Sequence, residues 1–371
     1  MDERKYLLQV FDGELPAKKP WYADLSYLYN SLVLKGELEK KYEGEEGYLR
    51  FHIDMGAGIY ISAPLLVKKT FTNGVQYFEK EENGTMTCVY QTPLGTIRSV
   101  QKYLPVTYTW AFTEHFVKSI EDLRIMLYVC ENTRYEESYD DFVRIERMWG
   151  DNGLATGLSP DSVGPLQKLI ARWAGVEKTV DLLIDEPDEF DEITARMGEA
   201  EDSLFDILAA SPAEYIEFTE NLSSEITGKT FFEQYNFDYY SKRVDQLHKA
   251  GKYAGIHIDG TLTSCLPLLQ KCGFDVAEAV TPAPCGDVEV ENLRACAGSD
   301  IIIWGGIPGV LFSGLYSDDF FDEYVNRVLT VFQNDPKFVL GVADQVPPDG
   351  LISRVKRVAE ICKEHISGGN E

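Results

Sequence analysis

The sequence predicts an α/β protein: a (β/α)8 barrel, the TIM-barrel class, with an N-terminal helical and β-rich segment. Three observations lead there. From about residue 140, short apolar runs alternate with amphipathic helical stretches, the rhythm of strands buried on both faces of a parallel sheet. Polar residues with chemistry to offer stand where those runs end, the position at which such folds place function. The 371 residues also suffice for one barrel plus an added segment. The expected division is residues 1–104 as an N-terminal segment and β-rich insertion packed on the barrel, and 105–371 as the barrel itself.

Taken in order, Lys5 to Phe11 reads as a helical lead-in broken by Gly13 and Pro16. The aromatic stretch Pro20 to Asn30 reads as a helix, its rings either packing on a core or walling a substrate. Asn73-Gly74, Asn83-Gly84 and Pro93-Leu94-Gly95 punctuate strand-like runs between residues 51 and 120, the mark of hairpins. Helical spacing resumes from Glu114 and covers Asp140 to Gly150, Gly164 to Trp173 and Val176 to Asp185. Pro187 then opens a segment with a long acidic helix, Phe190 to Ala210. Gly153 to Gly157 and Glu214 to Phe218 are strands, the second leaving Thr219-Glu220-Asn221 at its end. Three βα units follow, with strands Tyr253–Ile258, Phe274–Val280 and Asp300–Trp304, and Phe338–Val342 leads into a last helix, Leu351 to His365.

Composition bounds the function. A net charge of −26 argues against nucleic acid or an anionic membrane as the main partner, and an anionic substrate would need a local positive site. No apolar run of 18 residues and no signal-like start are present, so a cytoplasmic protein is expected. The seven cysteines are odd in number and form no CxxC pair, which suits reduced thiols. His52 and His115 have no partner motif and read as core or surface histidines.

The polar residues at strand ends are His257 and Asp259, Glu278, Asp344, and Glu220 with Asn221. In a closed barrel these ends converge on one face. His257, Asp259, Glu278 and Asp344 together offer one imidazole and three carboxylates, a donor set suited to a divalent ion, zinc being the natural choice beside imidazole. A metal-free acid/base cluster of carboxylates, or plain strand-end charges, are the other readings of the same pattern. Convergence of three strand ends favours the first.

The segment from about Glu214 to Glu364 resembles the uroporphyrinogen decarboxylase superfamily. The resemblance rests on His257-Ile258-Asp259-Gly260, Glu278-Ala279-Val280-Thr281-Pro282, Trp304-Gly305-Gly306-Ile307-Pro308 and Gly341-Val342-Ala343-Asp344, with Pro20-Trp21-Tyr22-Ala23-Asp24-Leu25 in the same style. That superfamily holds a cofactor-free tetrapyrrole decarboxylase and the methyltransferases of corrinoid-dependent methyl transfer. The decarboxylase pattern brings paired arginines to a polyanion, whereas Lys19 to Asn30 contains none. The methyltransferase pattern carries zinc on a His-x-Cys, a glutamate and a later cysteine. Here His257 and Glu278 match, Asp259 stands in place of the first cysteine, and Val342 or Asp344 in place of the second.

The resemblance thus implies a methyltransferase that takes a methyl group from a small methylated aromatic molecule, an aryl methyl ether, and passes it to cobalt(I) of a corrinoid. No cobalamin-carrying motif is present, so the corrinoid would arrive on a separate protein. His257, Asp259 and Glu278 would be catalytic, with zinc on His257, Asp259, Glu278 and Asp344. Trp21, Tyr22, Asp24, Glu220 and Asn221 would hold the substrate. An oxygen-rich site is a harder Lewis acid than a thiolate one and suits an ether oxygen. A cofactor-free decarboxylase of a carboxylated substrate is the alternative, and a homodimer is compatible with either.

Overall fold

The computed structural model describes residues 2–159 and 161–367; Pro160, within the loop Leu158 to Gly164, and the last residues of the 105–371 region lie outside the described residues. The strands are β1 (Trp21–Tyr22), β2 (Val67–Phe71), β3 (Gln76–Glu82), β4 (Thr85–Thr92), β5 (Gly95–Leu104), β6 (Thr109–Glu114), β7 (Thr133–Glu137), β8 (Thr156–Gly157), β9 (Tyr215–Leu222), β10 (Tyr253–Ile258), β11 (Val276–Val280), β12 (Ile302–Pro308) and β13 (Phe338–Ala343). Seven of them make one curled sheet in the order β1-β13-β12-β11-β10-β9-β8, with every neighbouring pair parallel. Its two edges are linked through Gly58 and Ile59, which bridge Tyr22 on one side and Gly153 on the other. The arrangement is TIM-barrel-like, with helices on the outer face.

Several elements differ from expectation: Thr109–Glu114 and Thr133–Glu137, within the stretch expected to be the barrel itself, belong to smaller sheets, and two further differences have clear causes. The sheet takes in Trp21–Tyr22, from the segment expected to lie outside the barrel and to be helical. A two-residue strand buried on both faces is too short to display a period of two, and its aromatics mimic a helix stripe. The helix after it begins only at Ser26, where the Asp24 carboxylate accepts from the Ser26 amide at 2.8 Å. The long acidic helix Phe190 to Ala210 is in fact two, Pro187–Glu199 and Asp202–Ala210. The break turns Glu201 inward to an ion pair with the buried Lys168, a tertiary contact that outweighs helical propensity.

Asn83-Gly84 and Pro93-Leu94 turn the β3–β4 and β4–β5 hairpins, whereas Asn73-Gly74 joins β2 to β3, which lie in two different antiparallel sheets. β2 pairs β7 in a ribbon, and β3 to β6 form a four-stranded meander. The β3–β4 turn holds Asn83 and Gly84 at φ +53° and +69°, as a tight hairpin requires.

Inside the curled sheet, the helix Glu3–Phe11 closes the N-terminal end and meets an aromatic floor. Trp304 is at its centre, with ring centroids 4.6 Å from Tyr60, 5.2 Å from Tyr22, 6.1 Å from Tyr215 and 6.4 Å from Phe11. Each such pair contributes about 0.5–1.5 kcal/mol beyond area burial. The floor is buried, and the candidate site is built on it. Among the described residues, no helix is long and apolar enough to cross a membrane.

The outer face of the sheet packs on helices. β9 alternates, sending Tyr215 and Glu217 inward and Ile216, Phe218 and Glu220 outward. Glu220 is therefore buried under the helical layer, accepting from the Gly164 amide at 2.5 Å. Burial pushes its carboxyl up to about 7, from an ordinary value of 4.5. A folded-state pKa raised in this way means no penalty below about pH 4.5 and a full one above about pH 7, so stability falls as pH rises through that window. Glu220→Gln is expected to be more stable than wild type by roughly 2–3 kcal/mol at pH 8 and by little at pH 4.5. Denaturant unfolding at the two pH values checks it; an equal difference at both would show an ordinary carboxylate.

Candidate active site

Two layers of side chains rise from the aromatic floor. In the lower layer Glu217 on β9 lies in register with Gly255 on β10; in the upper, His257 on β10 lies in register with Glu278 on β11. A Cβ at Gly255 would sit 2.0 Å from the Tyr215 hydroxyl, so only glycine leaves room for that ring. Tyr215 then donates to Glu217 Oε2 at 3.0 Å. On the other side Tyr60 donates to Glu278 Oε1 at 2.7 Å. Floor tyrosines thus hold both buried glutamates from below.

Glu278 Oε2 lies 2.6 Å from His257 Nδ1, and Asp344 Oδ1 lies 3.8 Å from His257 Nε2. One donor atom each from Glu217, His257 and Glu278 fall within 4.8 Å of one another. The backbone is strained beside these groups. Ala279 follows Glu278 at φ +61° and Asp344 stands at +65°, left-handed conformations that non-glycine residues rarely adopt. The β11–β12 register slips between Ala277 and Val280, a bulge that re-aims the strand end carrying Glu278.

Electrostatics follow from crowding acids in a buried place. Burial by itself would lower the His257 pKa, but the carboxylates of Glu278, Glu217 and Asp344 outweigh it and bring the imidazole up to about 10. Glu217 is pushed up to about 8, by burial first and by Glu278 second. Asp344 rises to about 6 through burial, against the pull of His257, with Asp259, Glu278 and Asp24 adding repulsion. The histidine is the only basic group among the principal influences on these acids.

Asp344, 3.8 Å from His257, also lines a cavity of about 370 Å³ whose walls include Tyr27, Asp259, Thr281, Cys285 and Leu315, with no lysine, arginine or histidine among the described residues of the lining. The Tyr27 hydroxyl donates to the Thr107 carbonyl in the β5–β6 turn, tying the small sheet to the mouth of the larger one.

The expected residues are therefore divided. His257 and Glu278 come together at the centre, with Asp344 at the edge. Asp259 does not join the cluster: one residue beyond β10, its Oδ1 turns back to accept from the Gly260 amide at 2.6 Å, and the residue lines the mouth. Trp21 and Tyr22 are fully buried, Trp21 stacked on Phe312 and Tyr22 against Trp304, so neither presents a surface to a ligand. Asp24 is buried too, bonded to the Ser26 amide and to Gln345 at 3.0 Å. Glu220 faces the outer layer, and Asn221, at φ +50°, is exposed beyond it. In each case strand alternation or a local cap decides the direction, and a motif read by position alone does not show it.

Glu217 is the residue that sequence reasoning misses. A signal for it exists: a lone acid inside Tyr215-Ile216-Glu217-Phe218, a run too apolar to expose it. A carboxylate in a strand buried on both faces needs a partner, and that need alone marks it as a site candidate. Gly255→Ala is expected to cost about 1–3 kcal/mol, because its methyl group overpacks against Tyr215. Denaturant unfolding measures this; an unchanged midpoint would show that the Tyr215–Glu217 seat is looser than described.

No curated protein matches the chain. Among solved structures, a methyltransferase from Methanosarcina mazei matches with a TM-score of 0.60 at 13% identity, over 98% of this chain and 99% of that one, a likeness in fold. A 3-dehydroquinate dehydratase from Geobacillus kaustophilus HTA426 matches over 67% of this chain and 78% of that one at 12% identity, with a TM-score of 0.27 too low to bear on fold or chemistry. The family model for uroporphyrinogen decarboxylase (URO-D) matches residues 167–365, a span that carries Glu217, His257, Glu278 and Asp344. Since that match takes in more than half of the chain, the protein belongs to the uroporphyrinogen decarboxylase family.

Proposed function

We propose that this protein is a methyltransferase that removes a methyl group from a small methylated molecule, an aryl methyl ether, and passes it to the cobalt(I) of a corrinoid on a separate protein. The observation that carries the reading is the buried Glu217–His257–Glu278 cluster beneath an acidic mouth. The description of the Methanosarcina mazei chain of like fold as a methyltransferase supports it. The link through Gly58 and Ile59 supports reading the curled sheet as a closed (β/α)8 barrel.

The donor set fits a zinc ion. One imidazole and two carboxylates lie together, their charge opposed by that single histidine, and their outer oxygens are oriented by Tyr60 and Tyr215. Asp344 completes the set from the mouth, and Asp259 serves as a mouth residue contacting the donor. Zinc bound here would supply Lewis acidity to the ether oxygen as the methyl carbon–oxygen bond breaks and its electron pair stays on oxygen.

The chain's own residues do the rest. The Trp304 floor excludes water from below, and the tyrosine hydroxyls keep the two glutamates from turning away. Tyr27, rather than the buried Trp21 and Tyr22, provides the aromatic contact. With three aspartates, Asp259, Asp344 and Asp349, and no basic group, the lining repels a carboxylate-bearing donor. That weighs against a cofactor-free decarboxylase of an acidic substrate.

Elemental analysis of purified wild type after zinc loading is expected to show about one zinc per chain, lost in Glu217→Gln, His257→Ala and Glu278→Gln and kept in Asp259→Asn. Equal metal in Glu217→Gln and wild type, or loss in Asp259→Asn as complete as in Glu217→Gln, would overturn the ligand set. With a corrinoid acceptor supplied, methyl transfer in His257→Ala should fall by at least about a hundredfold. An uncharged aryl methyl ether should show a lower KM than its carboxylated analogue; the reverse order would sink the proposed mouth selectivity.

A further inference from the structure

We infer that Asp24 is a positioning residue: its buried carboxylate holds Asp344 in the backbone conformation that brings that side chain to His257. The inference rests on the methyltransferase reading, in which Asp344 completes the ligand set from the mouth.

The need for such a group is visible in the backbone. Asp344 stands at φ +65°, with its Oδ1 3.8 Å from His257 Nε2. The registered pairing of β13 with β12 stops one residue earlier, at Ala343. A non-glycine residue keeps a left-handed conformation only where its surroundings over-determine it. Here the restraint falls on the two residues that follow. Gln345 donates through its side-chain amide to Asp24 Oδ2 at 3.0 Å, and the Val346 amide donates to the Asp24 carbonyl oxygen at 3.0 Å. One residue, distant in sequence, thus pins a side chain and the main chain directly after the strained position. Gln345 is confined by Gly309 as well, where a Cβ would fall 2.6 Å from the Gln345 carbonyl oxygen.

Asp24 can act as a brace because it is itself anchored. It is 5% exposed, and its other oxygen, Oδ1, accepts from the Ser26 amide at 2.8 Å, at the start of the helix Ser26–Lys35. Tyr27, the next residue of that helix, lines the mouth together with Asp344 and Gln345. The two carboxylate oxygens therefore tie two parts of the mouth to each other. A carboxylate only accepts, so it serves both N–H groups at once. Asparagine in its place has a single oxygen and would turn an N–H on either the Ser26 amide or the Gln345 amide.

The test compares wild type, Gln345→Ala, Asp344→Ala, the double variant of these two, and the swap Asp24→Asn with Gln345→Glu, which restores a donor–acceptor pair with the roles exchanged. Amide hydrogen exchange of the full-length, metal-free chain should show residues 342–349 less protected in Gln345→Ala, with thermal melting little changed, and protected again in the swap. Zinc dissociation constants, from competition with a chelator, should rise about tenfold or more in Gln345→Ala. The double variant should bind zinc no more weakly than Asp344→Ala, because Gln345 acts only through Asp344. Unchanged exchange in Gln345→Ala, no recovery in the swap, or losses of affinity that multiply in the double variant would each overturn the inference. A wild type that binds no zinc would overturn the ligand set instead, and the exchange comparison alone would then decide whether Asp24 holds Asp344.

Discussion

Burying two glutamates in the middle of a parallel sheet is the constraint on which most of this structure depends. A carboxylate moved out of water costs several kcal/mol unless hydrogen bonds and opposite charge offset it. Glu217 and Glu278 are each 2% exposed. The offsets come from specific places: hydroxyls of Tyr215 and Tyr60 below, and the His257 imidazole between them. Each offset has its own structural requirement. Tyr215 needs the missing side chain at Gly255, and both tyrosines need the Trp304 floor that holds their rings.

The same constraint shapes the chemistry. With acids crowded around one histidine, the imidazole is held protonated and Glu217 is driven toward its neutral form. The zinc proposed for this cluster would offset the same charge with one centre. The mouth continues the acidic theme, with Asp259, Asp344 and Asp349 in its lining.

Much of the fold is legible in sequence because parallel strands announce themselves. The apolar run Tyr253–Ile258 matches its strand to the residue, and the hairpin turn at Asn83-Gly84 is written in residues that tolerate positive φ. Where sequence and structure part, the reasons are tertiary. Trp21–Tyr22 is a strand only because β13 presents an edge to pair with, and the acidic helix breaks only because Glu201 has Lys168 to reach. Neither partner is near in sequence, so no local period could reveal it.

For the site, the sequence by itself determined the residue types and the strands that bear them: His257 and Glu278, on neighbouring units of an α/β chain with a family pattern around them. Tertiary structure alone decided which acids face that histidine. Glu217 enters because β9 lies beside β10 with its alternation pointing inward, and Glu220, three residues on, is sent to the opposite layer. Asp259 leaves because the chain turns at Gly260 and its carboxylate caps that turn. Direction relative to a sheet depends on register and curl, which are set by long-range pairing, so spacing along the chain could nominate these side chains but not aim them.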